Sequence, residues 1–196
     1  FTYRHKNFLM VDLPGTYSIL AHTVEEEIAR DFICFGHPDV TVVVLDATCL
    51  ERNLNLALQV MEITSRIVVC VNLIDEAEKK RTVIDFPTLE KELGVPVVPA
   101  AARQGIGLNL LKEKIFQVAL GAAPANPFRI QYSPEIESAV QKLLPQIEQL
   151  SFGKFLHPRW IALRLLDGDE RFVDRITAHF HSQSAPGIIG KAEVAL

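Results

Sequence analysis

Apolar residues recur along this chain in two alternating rhythms. Short apolar runs lie near 8–12 ("FLMVD"), 40–45 ("VTVVVL"), 67–71 ("IVVCV") and 97–99 ("VVP"). They are too short for helices and too uniformly apolar for half-exposed strands, so they predict strands buried on both faces. Between them the apolar positions fall at helical spacing: Val24, Ile28, Ala29, Phe32 and Ile33; then Leu54, Ala57, Leu58 and Met61; then Leu108, Leu111, Ile115 and Val118, closing at Gly121. Thr23 with Glu26 three residues later forms a capping box, and Glu25–Glu27 suit the positive end of a helix dipole. Strands alternating with helices predict a parallel sheet covered on both faces, with right-handed crossovers, an α/β unit over residues 1–121. The opening "FTYRHKNFLMV" alternates as a hairpin, with its turn near His5–Asn7 leading into the 8–12 strand.

The rhythm changes after Gly121. "GAAPANPFRIQYSP" carries three prolines without periodicity, predicting a linker over 122–133. Beyond it only helical patterns follow, in a small all-helical domain over 134–182. One helix spans 134–150 on Ile136, Val140, Leu143, Leu144 and Ile147, where Pro145 is expected to kink or break it. Two shorter helices, 158–167 and 169–181, flank "DGD", and Trp160 is read as their core anchor. The tail 183–196 is read as irregular.

Composition narrows the classes. With 196 residues, 48% hydrophobic and 22% charged, the chain can bury one substantial core. A net charge of −4 predicts no nucleic-acid partner, which calls for a basic face. No apolar run reaches the roughly 18 residues of a membrane span, so the chain itself is expected to be soluble. Cys34, Cys49 and Cys70 lack ligand-like spacing and are read as buried thiols. His179 and His181, two apart, would point to opposite sides of a helix, so they are not read as a metal pair. His22 is read as a loop residue.

Two strand ends carry candidate chemistry. In "DLPG", Asp12 is suited to hold a water of a divalent cation's shell, and the Gly15 amide can approach a phosphate closely with no Cβ in the way. The alternative is a Pro-Gly turn whose amides Asp12 satisfies. In "NLID", the Asp75 carboxylate offers two acceptors that match the N1–H and exocyclic amino group of guanine, a pair adenine lacks, while Asn72 is suited to tie neighbouring loops together. The alternative is a strand-end Asx turn. The 63 residues between Asp12 and Asp75 are expected to bring both to one sheet edge. Asp46 in "LDAT" is read as a strand-end cap.

The order "DLPG", "NLID", "VPVVPAAARQGIG" resembles P-loop GTPases of the translation-factor type. More narrowly, "VDLPGTYS", "EEEIARDFI", "PDVTVVVLDATCLERNLNLALQV", "NLIDEAEKK" and "HPRWIALRLLDGDE" resemble the cytoplasmic GTPase domain and helical spacer of ferrous iron transport protein B, FeoB. The resemblance implies roles at matching positions. Asp12, Leu13, Pro14 and Gly15 become the switch-two motif, with Asp12 on the water shell of Mg²⁺. Asn72, Leu73, Ile74 and Asp75 become the guanine-reading motif, and Ala100, Ala101 and Ala102 the last nucleotide loop, with the Ala102 amide toward the guanine oxygen. No catalytic residue is assigned. The cofactors implied for the intact protein are GTP or GDP and Mg²⁺. The implied partner is a membrane-transport domain of the same polypeptide at the cytoplasmic side of a bacterial inner membrane, with oligomerisation open.

Departures from the pattern shape the expectation. Leu73 replaces a usual Lys, Ala101 a usual Ser, and Thr16 the Gln that orients water in small GTPases. No G-x-x-x-x-G-K-[ST] occurs anywhere in the chain, and the first-switch Thr is missing. The chain is therefore expected to be a P-loop-type sheet lacking its first strand and phosphate loop, a piece of a longer protein, inactive itself and binding nucleotide weakly or not at all. The gap between the strands ending at Asp12 and Asp46 is expected to be closed by neighbouring strands or by another chain. The parent would bind GTP, hydrolyse it slowly to GDP and phosphate, and couple it to Fe(II) uptake. The alternatives are a non-catalytic interaction module of GTPase-like fold and another translation-factor-type GTPase.

Overall fold

The computed structural model describes residues 1–20, 23–123, 126–149 and 156–183. His22, the tail beyond 183 and the side chains of His179 and His181 lie outside them. A two-residue hairpin opens the chain, Thr2–Tyr3 (β1) against Lys6–Asn7 (β2), and its turn falls on Arg4 and His5, both at positive φ, one residue earlier than the pattern placed it. Helix α1 spans Val24–Phe35 and starts as expected: the Thr23 hydroxyl accepts the Glu26 amide at 3.2 Å.

The sheet is parallel, in the order β3 (Thr41–Asp46), β4 (Ile67–Asn72), β5 (Val97–Pro99). Helix α2 (Leu50–Ile63) covers one face, packing Ala57, Val60 and Met61 over Leu45, Val69 and Val71. On the other face α5 (Leu108–Ala119) sets Ile115 and Val118 over Val68 and Val98. Alternate residues of β4 thus serve opposite layers, which is why its sequence is apolar throughout. Two shorter helices, α3 (Ile74–Lys79) and α4 (Phe86–Leu93), lie between β4 and β5 in sequence. The α/β class and the parallel sheet are as the pattern indicated.

The expected strand at 8–12 is not formed. Leu9 is 93% and Met10 71% exposed, and Asp12 is exposed as well. A strand needs an edge to pair with, and β3 has no second strand partner among the described residues; its Val44 is 57% exposed. Neighbouring strands therefore do not close the gap, and Asp12 does not share a sheet edge with Asp75. Cys34 and Cys70 are buried, with burial pushing both thiols up, but Cys49 is exposed, against expectation, because it lies at the start of α2 with its Sγ 3.0 Å from Asn53 Nδ2.

Three helices follow: α6 (Pro134–Gln149), α7 (Pro158–Asp167) and α8 (Glu170–Gln183). α6 runs unbroken through Pro145. Trp160 is buried and meets Phe172 edge-on at 4.5 Å. The buried cluster holding Leu45 and Met61 continues into Trp160, Ile161 and Phe172, so the helices share a core with one face of the sheet.

Candidate functional site

A cleft of about 340 Å³ lies at the carboxyl end of β4 and β5, lined by Leu73, Asp75, Glu76, Lys79 and the loop Ala101–Gln104. Ligands of open parallel sheets bind at this end of the strands. The cleft is built by two turns laced together. After β4 the chain reverses through Leu73, at φ 63° and ψ 33°, a left-handed conformation that costs a non-glycine residue about 1–3 kcal/mol. Neighbouring bonds hold it there: Ile74 N–H donates to Ala100 O at 3.2 Å, and Ala100 N–H to Val71 O at 2.8 Å.

The second turn follows β5. Ala101 and Ile106 exchange both backbone hydrogen bonds at 3.2 Å, closing a small loop. Gly107, at φ 81°, seals it; a Cβ there would stand 2.2 Å from Pro99 O, so only glycine fits. Asn72 joins the turns, its Oδ1 accepting the Ala102 N–H at 3.0 Å across 30 residues. Asp75 enters the cleft from the first turn of α3, and its Oδ2 accepts from Gln104 Nε2 at 2.7 Å.

The structure thus brings together Asn72, Leu73, Ile74, Asp75, Ala100, Ala101 and Ala102. It leaves Asp12, Leu13, Pro14 and Gly15 outside this cleft. Leu13 packs against the core, whereas Asp12 and Gly15 are exposed. Nothing in the chain itself asks for glycine at 15: a Cβ would meet no atom within 4 Å, and φ is not left-handed. Ile19 anchors the segment that follows, with Gln59 Oε1 on α2 accepting Ser18 Oγ at 3.1 Å and the Ile19 amide at 2.8 Å. No group of three or more His, Cys, Asp or Glu able to hold a metal occurs among the described residues. Asp46 caps the short turn Ala47–Cys49, its Oδ1 accepting Thr48 N–H at 2.7 Å; burial raises its carboxyl, and hydrogen bonds from Thr48 and Cys49 with the Lys80 charge together hold it low.

Sequence reasoning passed over Gln104 and Gln59. Each acts across a separation of 29 residues or more, so no local spacing could reveal it. It also passed over the buried ionic cluster beside the cavity under Ile19. Glu62 is 3.6 Å from Arg129 and 3.9 Å from Arg159, and Arg159 forks onto Glu137.

Comparison with known proteins bears on this arrangement. Residues 1–115 match the family model described as ferrous iron transport protein B, and residues 132–192 the FeoB cytosolic helical domain. The Fe(2+) transport protein A/Fe(2+) transporter FeoB fusion protein of Porphyromonas gingivalis is 39% identical over 179 residues, 87% of this chain and 21% of that protein. The Fe(2+) transporter FeoB of Salmonella typhimurium is 35% identical over 169 residues, 82% and 21% respectively. The chain therefore spans about a fifth of the length of these relatives. Among solved structures, the GDP form II of the T. maritima FeoB cytosolic domain superposes with a TM-score of 0.81 at 31% identity, covering 99% of this chain and 74% of that one. The FeoB G-domain of Methanococcus jannaschii is 43% identical, with a TM-score of 0.60 over 61% of this chain and 77% of that one.

Proposed function

Because the chain belongs to the FeoB family of ferrous iron transport proteins, we propose that its cleft is the base-reading half of a guanine-nucleotide site that regulates Fe(II) passage through a membrane domain of the same polypeptide. The observation that carries this reading is the Asn72–Ala102 bond beside the Asp75 carboxylate. It holds two loops, far apart in sequence, around one acceptor pair. Asp75 accepts the N1–H and amino group of guanine; adenine offers no such pair. Asp12 and Gly15 serve a phosphate and its Mg²⁺ water shell, and the openness around Gly15 is in keeping with a backbone that approaches a ligand instead of its own chain.

The chain has no G-x-x-x-x-G-K-[ST], so apart from Asp12 and Gly15 it contributes little to holding phosphates. Nucleotide state reaches the helices through the segment after Gly15, which Gln59 clasps beside the cavity lined by Arg30, Glu62 and Trp160. In a cell this segment sits on the cytosolic side, consistent with the cytosolic domains it resembles. Among the described residues no helix is long and apolar enough to cross a membrane.

The test is titration with guanosine, GDP and adenosine, followed by amide resonances of Ala102 and Ile74. Guanosine is expected to bind with Kd on the order of 1 mM, about −4 kcal/mol, and GDP little better. Asp75→Ala is expected to abolish the preference over adenosine. Equal response to both nucleosides would sink the reading and favour an interaction module of the same fold.

A further inference from the structure

Asp75 is the acceptor on which the guanine reading depends, and in this structure one of its oxygens is already taken. Gln104 Nε2 donates to Oδ2 at 2.7 Å. The donor is a planar amide NH₂, the same hydrogen-bonding chemistry as the exocyclic amino group of guanine. The side chain comes from an exposed position on the closed loop Ala101–Ile106, whose backbone is pinned by its own bond pair and by Gly107. The loop can therefore stay in place while the Gln104 side chain leaves.

Resting on the reading of this cleft as a guanine site, we propose that Gln104 is an internal stand-in for the guanine amino group: it holds Asp75 when the cleft is empty and must be displaced by guanine. A carboxylate presents two oxygens. Guanine needs both, one for N1–H and one for the amino group. Hypoxanthine, which lacks the amino group, needs only one and can share Asp75 with Gln104. Gln104 thus lowers affinity for guanine but not for hypoxanthine, which narrows the preference between them. It is a specificity-determining residue that acts by competition and keeps the base exchangeable.

The experiment is an NMR titration of the full chain with guanosine, inosine and adenosine, in the native sequence and in Gln104→Ala. Gln104→Ala is expected to tighten guanosine binding about five-fold, the size of one typical net hydrogen bond, and to leave inosine unchanged. In the native chain, guanosine is expected to move the Gln104 side-chain NH₂ resonances toward those of a solvated amide; inosine leaves them in place. Gln104→Glu, which sets a second carboxylate beside Asp75, is expected to release that contact and serves as a second variant with the backbone intact. If guanosine binds and Gln104→Ala leaves its affinity unchanged or weakens it, the competition is overturned while the base-reading cleft stands. If neither chain distinguishes guanosine from adenosine, the reading of the cleft fails and the competition fails with it.

Discussion

Asn72 shows what one side chain contributes here. It was legible as a candidate from the N-x-x-D spacing at a strand end, but what its oxygen accepts, the Ala102 amide 30 residues on, is a tertiary fact. Asn72→Ala removes that acceptor and leaves an amide that water can reach, so a loss of about 1 kcal/mol in denaturant stability is expected, with faster hydrogen exchange at Ala102. Asn72→Asp, which keeps an acceptor, is expected to restore slow exchange. His157 makes a second residue-scale case. Burial first, and then the nearby Arg129 and Arg159, lower its pKa to about 4. The unfolded chain binds this proton near pH 6.5 and the folded one only near pH 4, so the stability it contributes is fully present above 6.5 and is lost as pH falls to about 4. Thermal unfolding between pH 7 and 4 checks this, and His157→Gln is expected to flatten the slope in that window. Gln104 was illegible at this scale, because an exposed glutamine in a polar loop carries no local signal.

Elements form where pattern and partner coincide. β3, β4 and β5 were read near their observed limits because each is long enough or buried enough for its apolar run to stand out, and α1 because Thr23 caps it. The run Phe8–Asp12 has the same apolar character and yields no strand, since hydrogen bonding to a neighbouring edge, not side-chain pattern, completes a strand. Between helices, Arg159 of α7 forks onto Glu137 of α6 and reaches Glu62 of α2. Arg159→Met leaves Glu62, a buried carboxylate, with the Arg129 ion pair and the Ile130 amide, and a loss of about 3 kcal/mol is expected in chemical denaturation. The Arg159 hydrogen bonds hold the Glu137 carboxyl down to about 2. Its folded pKa lies below its unfolded one, near 4.5, so its contribution is present above 4.5 and lost as pH falls toward 2. Acid unfolding should therefore steepen below pH 4.5 in the native chain and less so in Glu137→Gln.

At the scale of the molecule, the composition break after Gly121 suggested two bodies. The buried cluster nevertheless runs from Leu45 and Met61 through Trp160 to Phe172, and ion pairs cross with it: Arg30, 2% exposed, lies 3.4 Å from Asp169, and Glu27 meets Arg175 at 3.3 Å. A shared core couples the melting of its parts. A single thermal transition is expected, with Trp160 fluorescence and far-UV circular dichroism coincident, and Arg30→Ala is expected to lower both midpoints together. Two separated midpoints would show that the helices fold apart from the sheet.

The amino-acid sequence by itself determined the period of each element, the α/β class, the capping of α1 and the residue types at the carboxyl ends of the strands, because these depend on neighbours within a few positions. Its motifs also carried the FeoB resemblance. Only the tertiary structure decided which strand edges find partners, that Asn72 and Gln104 meet Ala102 and Asp75, and that the helices share the core of the sheet. Those outcomes depend on contacts between residues tens of positions apart, which periodicity, a local property, does not encode.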